Sequence, residues 1–292
     1  MMNLSPWILA SRPRTLPAAI TPVLVGSGIA SSVDAFAWLP AVVCGLFSVI
    51  IQIGTNFSND YFDWKQGADT TERVGPTRAV ASGLIRPDTM KWASFLTLGI
   101  AFLVGLSLVY WGGFWLIVVG ILSVLSAVAY TARPFALGYR GLGDVFVIGF
   151  FGFVAVSFTT YVQAGYFPIS VWPAGLAIGL LANNLLVINN YRDQETDLAA
   201  GKRTVIVRFG PGFGEGLILC SLLASGSFCL GLAFISNLWI TLIALPALLP
   251  VYRVWRRLPH ALRRSGFGGL LQKSASGLFL FGLLLTIGLF LS

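Results

Sequence analysis

The chain returns repeatedly to continuous apolar runs of a length that only a bilayer demands. Runs near 15–32, 37–61, 92–111, 113–131, 143–163, 171–191, 214–235, 237–252 and 273–291 come close to the roughly 20 residues that a spanning helix needs. They do not alternate polar with apolar, so they read as helices and not as strands of a barrel. The expectation is an all-α polytopic membrane protein, a single domain over 1–292 with about nine transmembrane helices. Composition agrees: 56% of residues are hydrophobic and 10% charged, against about 25% charged in soluble domains. The net charge of +8 is not that of a nucleic-acid binder, because the cations lie in short loops between the runs.

Nine spans would place the N-terminus and the loops after spans 2, 4, 6 and 8 on one side. Those segments hold all 19 Lys and Arg residues. Positive-inside bias makes that side cytoplasmic, with the C-terminus outside, as for a protein of a bacterial inner membrane or its equivalent. Arg12 and Arg14 before an apolar run resemble a signal peptide, but Pro17 and Pro22 inside the run favour a retained first helix. Ten of the eleven acids lie on the same side, Asp34 being the exception. Topology does not require that of acids, so function is expected at the cytoplasmic ends. The long loops 64–91 and 192–213 would form a polar cap there. The loop 253–273, basic and without acids, reads as an anchor to anionic lipid.

Two stretches stand out. In Asn56-Phe57-Ser58-Asn59-Asp60-Tyr61-Phe62-Asp63, the residues Asn56, Asn59, Asp60 and Asp63 share one helical face. In Asn189-Asn190-Tyr191-Arg192-Asp193-Gln194-Glu195-Thr196-Asp197, Asn189, Asp193 and Asp197 fall at i, i+4 and i+8. Each stretch ends an even-numbered run, half a chain from the other, as in a duplicated arrangement. Such polar stripes are costly at the mouth of a membrane helix. The one histidine, His260, and the cysteines Cys44, Cys220 and Cys229 have no ligand spacing, so carboxylates must carry the chemistry. Oxygen donors suit a hard cation, and Mg²⁺ between the two stripes is the expected cofactor. Lys65, Arg73, Arg78, Arg192, Lys202, Arg203 and Arg208 adjoin the acids, a means of holding a diphosphate. A diphosphate head with a hydrocarbon tail would suit both the mouth and the apolar interior.

Two other readings compete. One treats the polar groups as helix-end caps and interfacial salt bridges; two matching stripes on one face speak against it. The other is an ion-coupled transporter, which would place its charges in mid-span. The run Gly210-Pro211-Gly212-Phe213-Gly214 has no preceding strand and reads as a loop leading into a helix. The spacing of Gly175 and Gly179 is a packing feature, and Trp7, Trp38, Trp111, Trp115, Trp172 and Trp239 form an interfacial belt.

With these residues in view, the chain resembles the UbiA-type intramembrane aromatic prenyltransferases, and among them the branch that prenylates 1,4-dihydroxy-2-naphthoate in menaquinone and phylloquinone biosynthesis. The segments carrying the resemblance are Trp7 to Gly26, Asn56 to Asp69, Gly138 to Asp144 and Asn189 to Gly210. The resemblance implies a ring of nine helices around a central cavity, with Mg²⁺ between the two Asp motifs. Asn56, Asp60 and Asp63 match the first motif, with Asp69 as its distal acid, and Asp193 and Asp197 match the second. Arg78, Arg140, Lys202 and Asn189 are candidates for the diphosphate. The first motif departs from the commoner superfamily spacing, since position 67 is Gly and the next acid is Asp69. The stretch Thr71 to Arg78 is also unlike the family.

The implied partners are a polyprenyl diphosphate, an aromatic acceptor and the lipid bilayer. Ionisation of the allylic C–O bond would leave a carbocation, for which Tyr130 and Tyr191 are cation–π candidates. The resemblance implies that CO₂ is lost as the ring becomes aromatic again. Asp144 or Tyr130 would assist proton removal from the acceptor. Other acceptors known in the superfamily are 4-hydroxybenzoate, homogentisate and chlorophyllide.

Overall fold

The computed structural model describes residues 4–68, 77–261 and 266–292. Asp69, expected as the distal acid of the first motif, lies outside them, as do Thr71 to Pro76 of the stretch that departs from the family.

Among the described residues every regular element is helical. A surface helix α1 (Ser5–Ser11) leads through a 3-10 turn at Pro13–Thr15 into α2 (Leu16–Ser31). Then follow α3 (Trp38–Lys65), α4 (Pro87–Leu106), α5 (Leu116–Ala129), α6 (Gly143–Ala164), α7 (Val171–Arg192) and α8 (Pro211–Ile235). A 3-10 stretch, Trp239–Leu248, runs on into α9 (Leu249–Ala261), and α10 is Phe267–Phe290. Six of these are long and apolar enough to cross a bilayer: α3, α4 with its extension to Gly112, α6, α7, α8 and α10. The expected spans near 15–32, 113–131 and 237–252 take shorter or irregular forms. α2 has 16 residues and α5 has 14. In the third, Pro246 and Pro250 withhold two amide donors and the backbone tightens into the 3-10 form.

The helices pack as neighbours in a bundle, α3 along α4, α2 along α10, and α7 against α8, α10 and α6. α7 is the enclosed member: 72% of its most apolar window is buried, against 22% for α3. Its Ala174, Ala177, Ile178, Leu181, Leu185 and Ile188 belong to the largest apolar core. Close approach to α6 depends on glycine. α6 passes through a π-helical segment, Ile148–Val154, and a Cβ on Gly152 would stand 2.2 Å from the carbonyl oxygen of Gly175 and 2.9 Å from the Cα of Gly179. The Gly175/Gly179 spacing thus serves as packing, as the sequence suggests.

α3 and α7 set the depth of the two polar stretches. Asn56 lies 18 residues after Trp38, and Asn189 lies 18 after Val171, about 27 Å of helix in each case. A hydrocarbon core is about 30 Å thick, so both stretches emerge where the apolar layer gives way to headgroups.

Candidate active site

A cavity of about 290 Å³ runs between α2, α3, α5, α6 and α7. α3 lines it from Cys44 to Asn59, 15 residues or about 22 Å of helix. Its deep end is apolar, with Val23, Leu116, Phe158 and Val162; Phe146, Phe150 and Phe151 flank the middle. Its polar end carries Arg12, Gln52, Asn56, Asn59, Tyr130 and Asn189. Amides and a guanidinium therefore line the mouth, and the acids stand just beyond them.

The first stripe keeps one helical face, but its members do different jobs. Asn56, 3% exposed, donates from Nδ2 to the Ser11 carbonyl at 2.9 Å and to Thr15 Oγ1 at 3.4 Å. It thereby fixes the turn that bears Arg12, whose φ of 51° lies in the left-handed region. Asn59 Oδ1 accepts a hydrogen bond from Thr131 at the end of α5. Asp60, 1% exposed, accepts the backbone amides of Ala79 (3.1 Å) and Val80 (3.4 Å). Those two donors bring the returning end of the cap loop down onto α3. A carboxylate offers about four lone-pair positions, so Asp60 retains acceptor capacity. Asp63 accepts from the Tyr139 hydroxyl at 2.8 Å and faces Arg78 Nη2 at 3.9 Å.

The second stripe is not one continuous helix. α7 ends at Arg192, Asp193 takes φ −93° and ψ 11°, and a new short helix covers Gln194–Ala199. Asp193 occupies the N-cap position of that helix without a side-chain capping hydrogen bond; its carboxylate is gripped by Arg192 through Nε at 2.6 Å and Nη2 at 2.7 Å. The register survives the break, because the amide of Asp193 reaches the Asn189 carbonyl and that of Asp197 the Asp193 carbonyl. Asp197 pairs with Lys202 Nζ at 3.3 Å.

Tyr139 ties the two stripes together. Its hydroxyl holds Asp63, and Lys202 Nζ, the partner of Asp197, sits 5.5 Å from its ring centroid. Its carbonyl accepts the amide of Arg203 at 2.8 Å. The loop 132–142 is clamped further by Arg208 Nη2 on the Arg140 carbonyl at 2.6 Å. Gly141, at φ 76°, passes so close to Arg203 that a Cβ would stand 2.6 Å from its carbonyl oxygen. Replacing Tyr139 by Phe removes a hydrogen bond to a charged acceptor, worth about 1.5–3 kcal/mol. The expected outcome is a roughly tenfold or greater fall in turnover with the thermal midpoint in detergent lowered by several degrees, read by steady-state kinetics beside a melting curve.

Several residues fall differently from expectation. The Arg140 guanidinium is exposed and folds back onto the Pro134 carbonyl at 2.8 Å, away from the acids. Tyr191 does not line the cavity; its hydroxyl donates to Glu215 Oε1 at 3.0 Å at the start of α8. Asp144, 6% exposed, accepts from Asn183 Nδ2 at 2.8 Å behind the cavity wall. Tyr130 does line the cavity, and its hydroxyl oxygen lies 2.9 Å from where a Gly143 Cβ would stand, next to Asp144. The sequence gives no pointer to Gln52 or Tyr139, and it marks Arg12 only as a topological cation, although the proline-rich turn around Arg12 is a sign of unusual backbone.

Among the described residues no three His, Cys, Asp or Glu side chains converge on one point. The donor set nonetheless fits a hard divalent cation. It consists of carboxylate and amide oxygens at matched depth, and Asp63 and Asp197 are held by cations at 3.9 Å and 3.3 Å that an incoming metal can exchange with.

The UbiA prenyltransferase family model matches residues 19–266. The chain belongs to the UbiA prenyltransferase family. It is 35% identical to the 1,4-dihydroxy-2-naphthoate octaprenyltransferase of Escherichia coli (strain K12), over 98% of this chain and 95% of that protein. The Mycobacterium tuberculosis (strain ATCC 25618 / H37Rv) protein of the same name is 40% identical over 72% of each chain. A UbiA homologue from Archaeoglobus fulgidus bound to GPP and Mg²⁺ has the same fold, with a TM-score of 0.63 at 17% identity over 94% of this chain and 99% of that one. The protein is therefore an integral membrane enzyme that transfers prenyl groups, as the membership of the UbiA family implies.

Proposed function

We propose that the protein transfers a polyprenyl group from its diphosphate to 1,4-dihydroxy-2-naphthoate, releasing diphosphate and CO₂, with Mg²⁺ at the two Asp motifs. One observation carries the reading: a deep apolar cavity opens, at a mouth of amides and Arg12, between two acidic motifs joined through Tyr139 and Lys202. That arrangement separates a charged head from a hydrocarbon tail. Relatives that match along most of this chain bear the name of that acceptor, and a neighbour of the same fold binds a prenyl diphosphate with Mg²⁺.

Asp60, Asp63, Asp193 and Asp197 would hold the metal with Asn56 and Asn189 beside them; Asp69, outside the described residues, stays a proposed distal ligand. When bound, Mg²⁺ supplies positive charge against the leaving diphosphate. Arg78 and Lys202, already at the acids, would release them and turn to the diphosphate oxygens. The allylic C–O bond breaks with its electron pair going to the diphosphate. Phe146, Phe150 and Tyr130 then face the resulting cation in a cavity that keeps water out. The electron-rich ring attacks at the carbon bearing the carboxylate, and the C–CO₂ bond returns its pair to the ring. Tyr130 or Asp144 would assist removal of a hydroxyl proton from the acceptor. The cytoplasmic placement of this mouth rests on the expected topology, in which all 19 cations fall in segments on its side.

The metal is tested by incubating the purified enzyme with EDTA and restoring Mg²⁺. Diphosphate release is expected to fall at least about 10²-fold and to return with the metal. Full activity in EDTA would sink the metal assignment, and solute flux into liposomes with no covalent product would favour a transporter.

A further inference from the structure

The last acid in the chain is Glu215; the 77 residues after it, 216–292, hold six Lys and Arg and no carboxylate side chain. Three of those cations lie on α9. At about 100° per residue, Arg253, Arg256, Arg257 and His260 fall within an arc of roughly 100°. Val251, Val254, Leu258 and Ala261 fall within an opposing arc of roughly 80°. The structure follows this division. The four apolar residues are buried against α8 and α10, and the four basic ones are exposed. Arg256 Nη1 donates to the Tyr252 hydroxyl at 3.4 Å. None of the four forms an ion pair among the described residues.

Positive-inside bias alone would be met by cations anywhere in the loop. Here they are ordered on one rigid face, at the end of a helical stretch whose first half, Trp239–Leu248, is apolar. Ten residues of 3-10 helix rise about 20 Å, a length that would bring the face near a headgroup layer.

We infer that the exposed face of α9 is a seat for the phosphate headgroups of anionic glycerophospholipid, with Arg253, Arg256 and Arg257 as its principal donors. Guanidinium groups match phosphate oxygens in charge and in bidentate geometry. Among the described residues no ion pair supplies an internal counter-charge to these arginines, so lipid phosphate is the counter-charge we assign to them. The seat lies outside the cavity lining, so it does not depend on the reaction proposed above.

The test uses the full chain reconstituted in vesicles of equimolar phosphatidylglycerol and phosphatidylcholine, with the lipid retained on the protein counted by native mass spectrometry. The wild type is expected to hold phosphatidylglycerol in a preference of up to about 10²-fold, from about three surface cations at about 1 kcal/mol each. The R253Q/R256Q/R257Q protein should fall to parity, and the corresponding triple Lys protein should keep most of the preference. If the triple Gln protein fails to fold, the wild type alone decides, since its preference should decline as NaCl is raised. A wild type with no preference would overturn the proposal. So would a triple Gln protein that keeps it, or one whose lipid is unchanged while its oligomeric state shifts, which would assign the face to a second copy.

Discussion

Asp63→Asn and Asp197→Asn should each lower kcat/KM for prenyl transfer by about 10²–10³-fold, while the protein still purifies and melts cooperatively. The two residues sit on opposite stripes, at the ends of α3 and just past α7, and each lies in contact with a cation the substrate head would need. Neither supports the fold as Asp60 does through the amides of Ala79 and Val80. Asn preserves size and some hydrogen bonding but removes the charge, so the loss reports on electrostatics at the mouth. If the two stripes act as one unit, the double variant should fall little below either single one. Strict additivity would argue that they serve separate ligands. Wild-type turnover in either variant would remove the acids from the chemistry.

The second large effect concerns the fold. Gly152→Val is expected to cost about 3 kcal/mol or more and to abolish a single cooperative transition at ordinary temperatures. The added Cβ would meet backbone on α7, the Gly175 carbonyl at 2.2 Å and the Gly179 Cα at 2.9 Å, and backbone cannot turn aside as a side chain can. α7 is the helix that carries Asn189 and the second stripe. A shift of α6 would therefore also disturb the cavity wall at Phe146 and Phe150. A control at Gly149, where nothing lies within 4 Å of an added Cβ, should be tolerated: Gly149→Ala should melt within a few degrees of wild type by fluorescence in detergent. A stable, active Gly152→Val protein would contradict the close crossing.

How far the sequence could be read depends on how local each signal is. The all-helical membrane class, the exit depth of the two stripes and the face shared by Asn56, Asn59, Asp60 and Asp63 follow from periodicity and length. These are properties of one helix at a time. What needed the folded chain were contacts between segments distant in sequence. Asp60 spends two acceptor positions on Ala79 and Val80, which no spacing within 56–63 can reveal. Arg140 is next to Tyr139, yet it turns to Pro134 while Tyr139 reaches Asp63. Arg12 carried the same charge as the topological cations, so only the fold could show it at the cavity mouth. The break at Asp193 replaces an expected straight i, i+4, i+8 stripe, because an Asp at the junction of two helices looks in sequence like one more helical residue. Irregular spans are hidden for a similar reason: prolines at 246 and 250 are visible, but whether they kink a helix or convert it to 3-10 depends on what packs around them.

The measurement that bears most directly on the proposed reaction is the mass of the product formed by the purified enzyme. It would be offered one polyprenyl diphosphate with 1,4-dihydroxy-2-naphthoate, 4-hydroxybenzoate or homogentisate in parallel, with Mg²⁺ present. The expected product appears with the naphthoate, at the mass of the acceptor plus the prenyl group minus CO₂. A prenylated naphthoate that keeps its carboxylate, or turnover with 4-hydroxybenzoate alone, would contradict it.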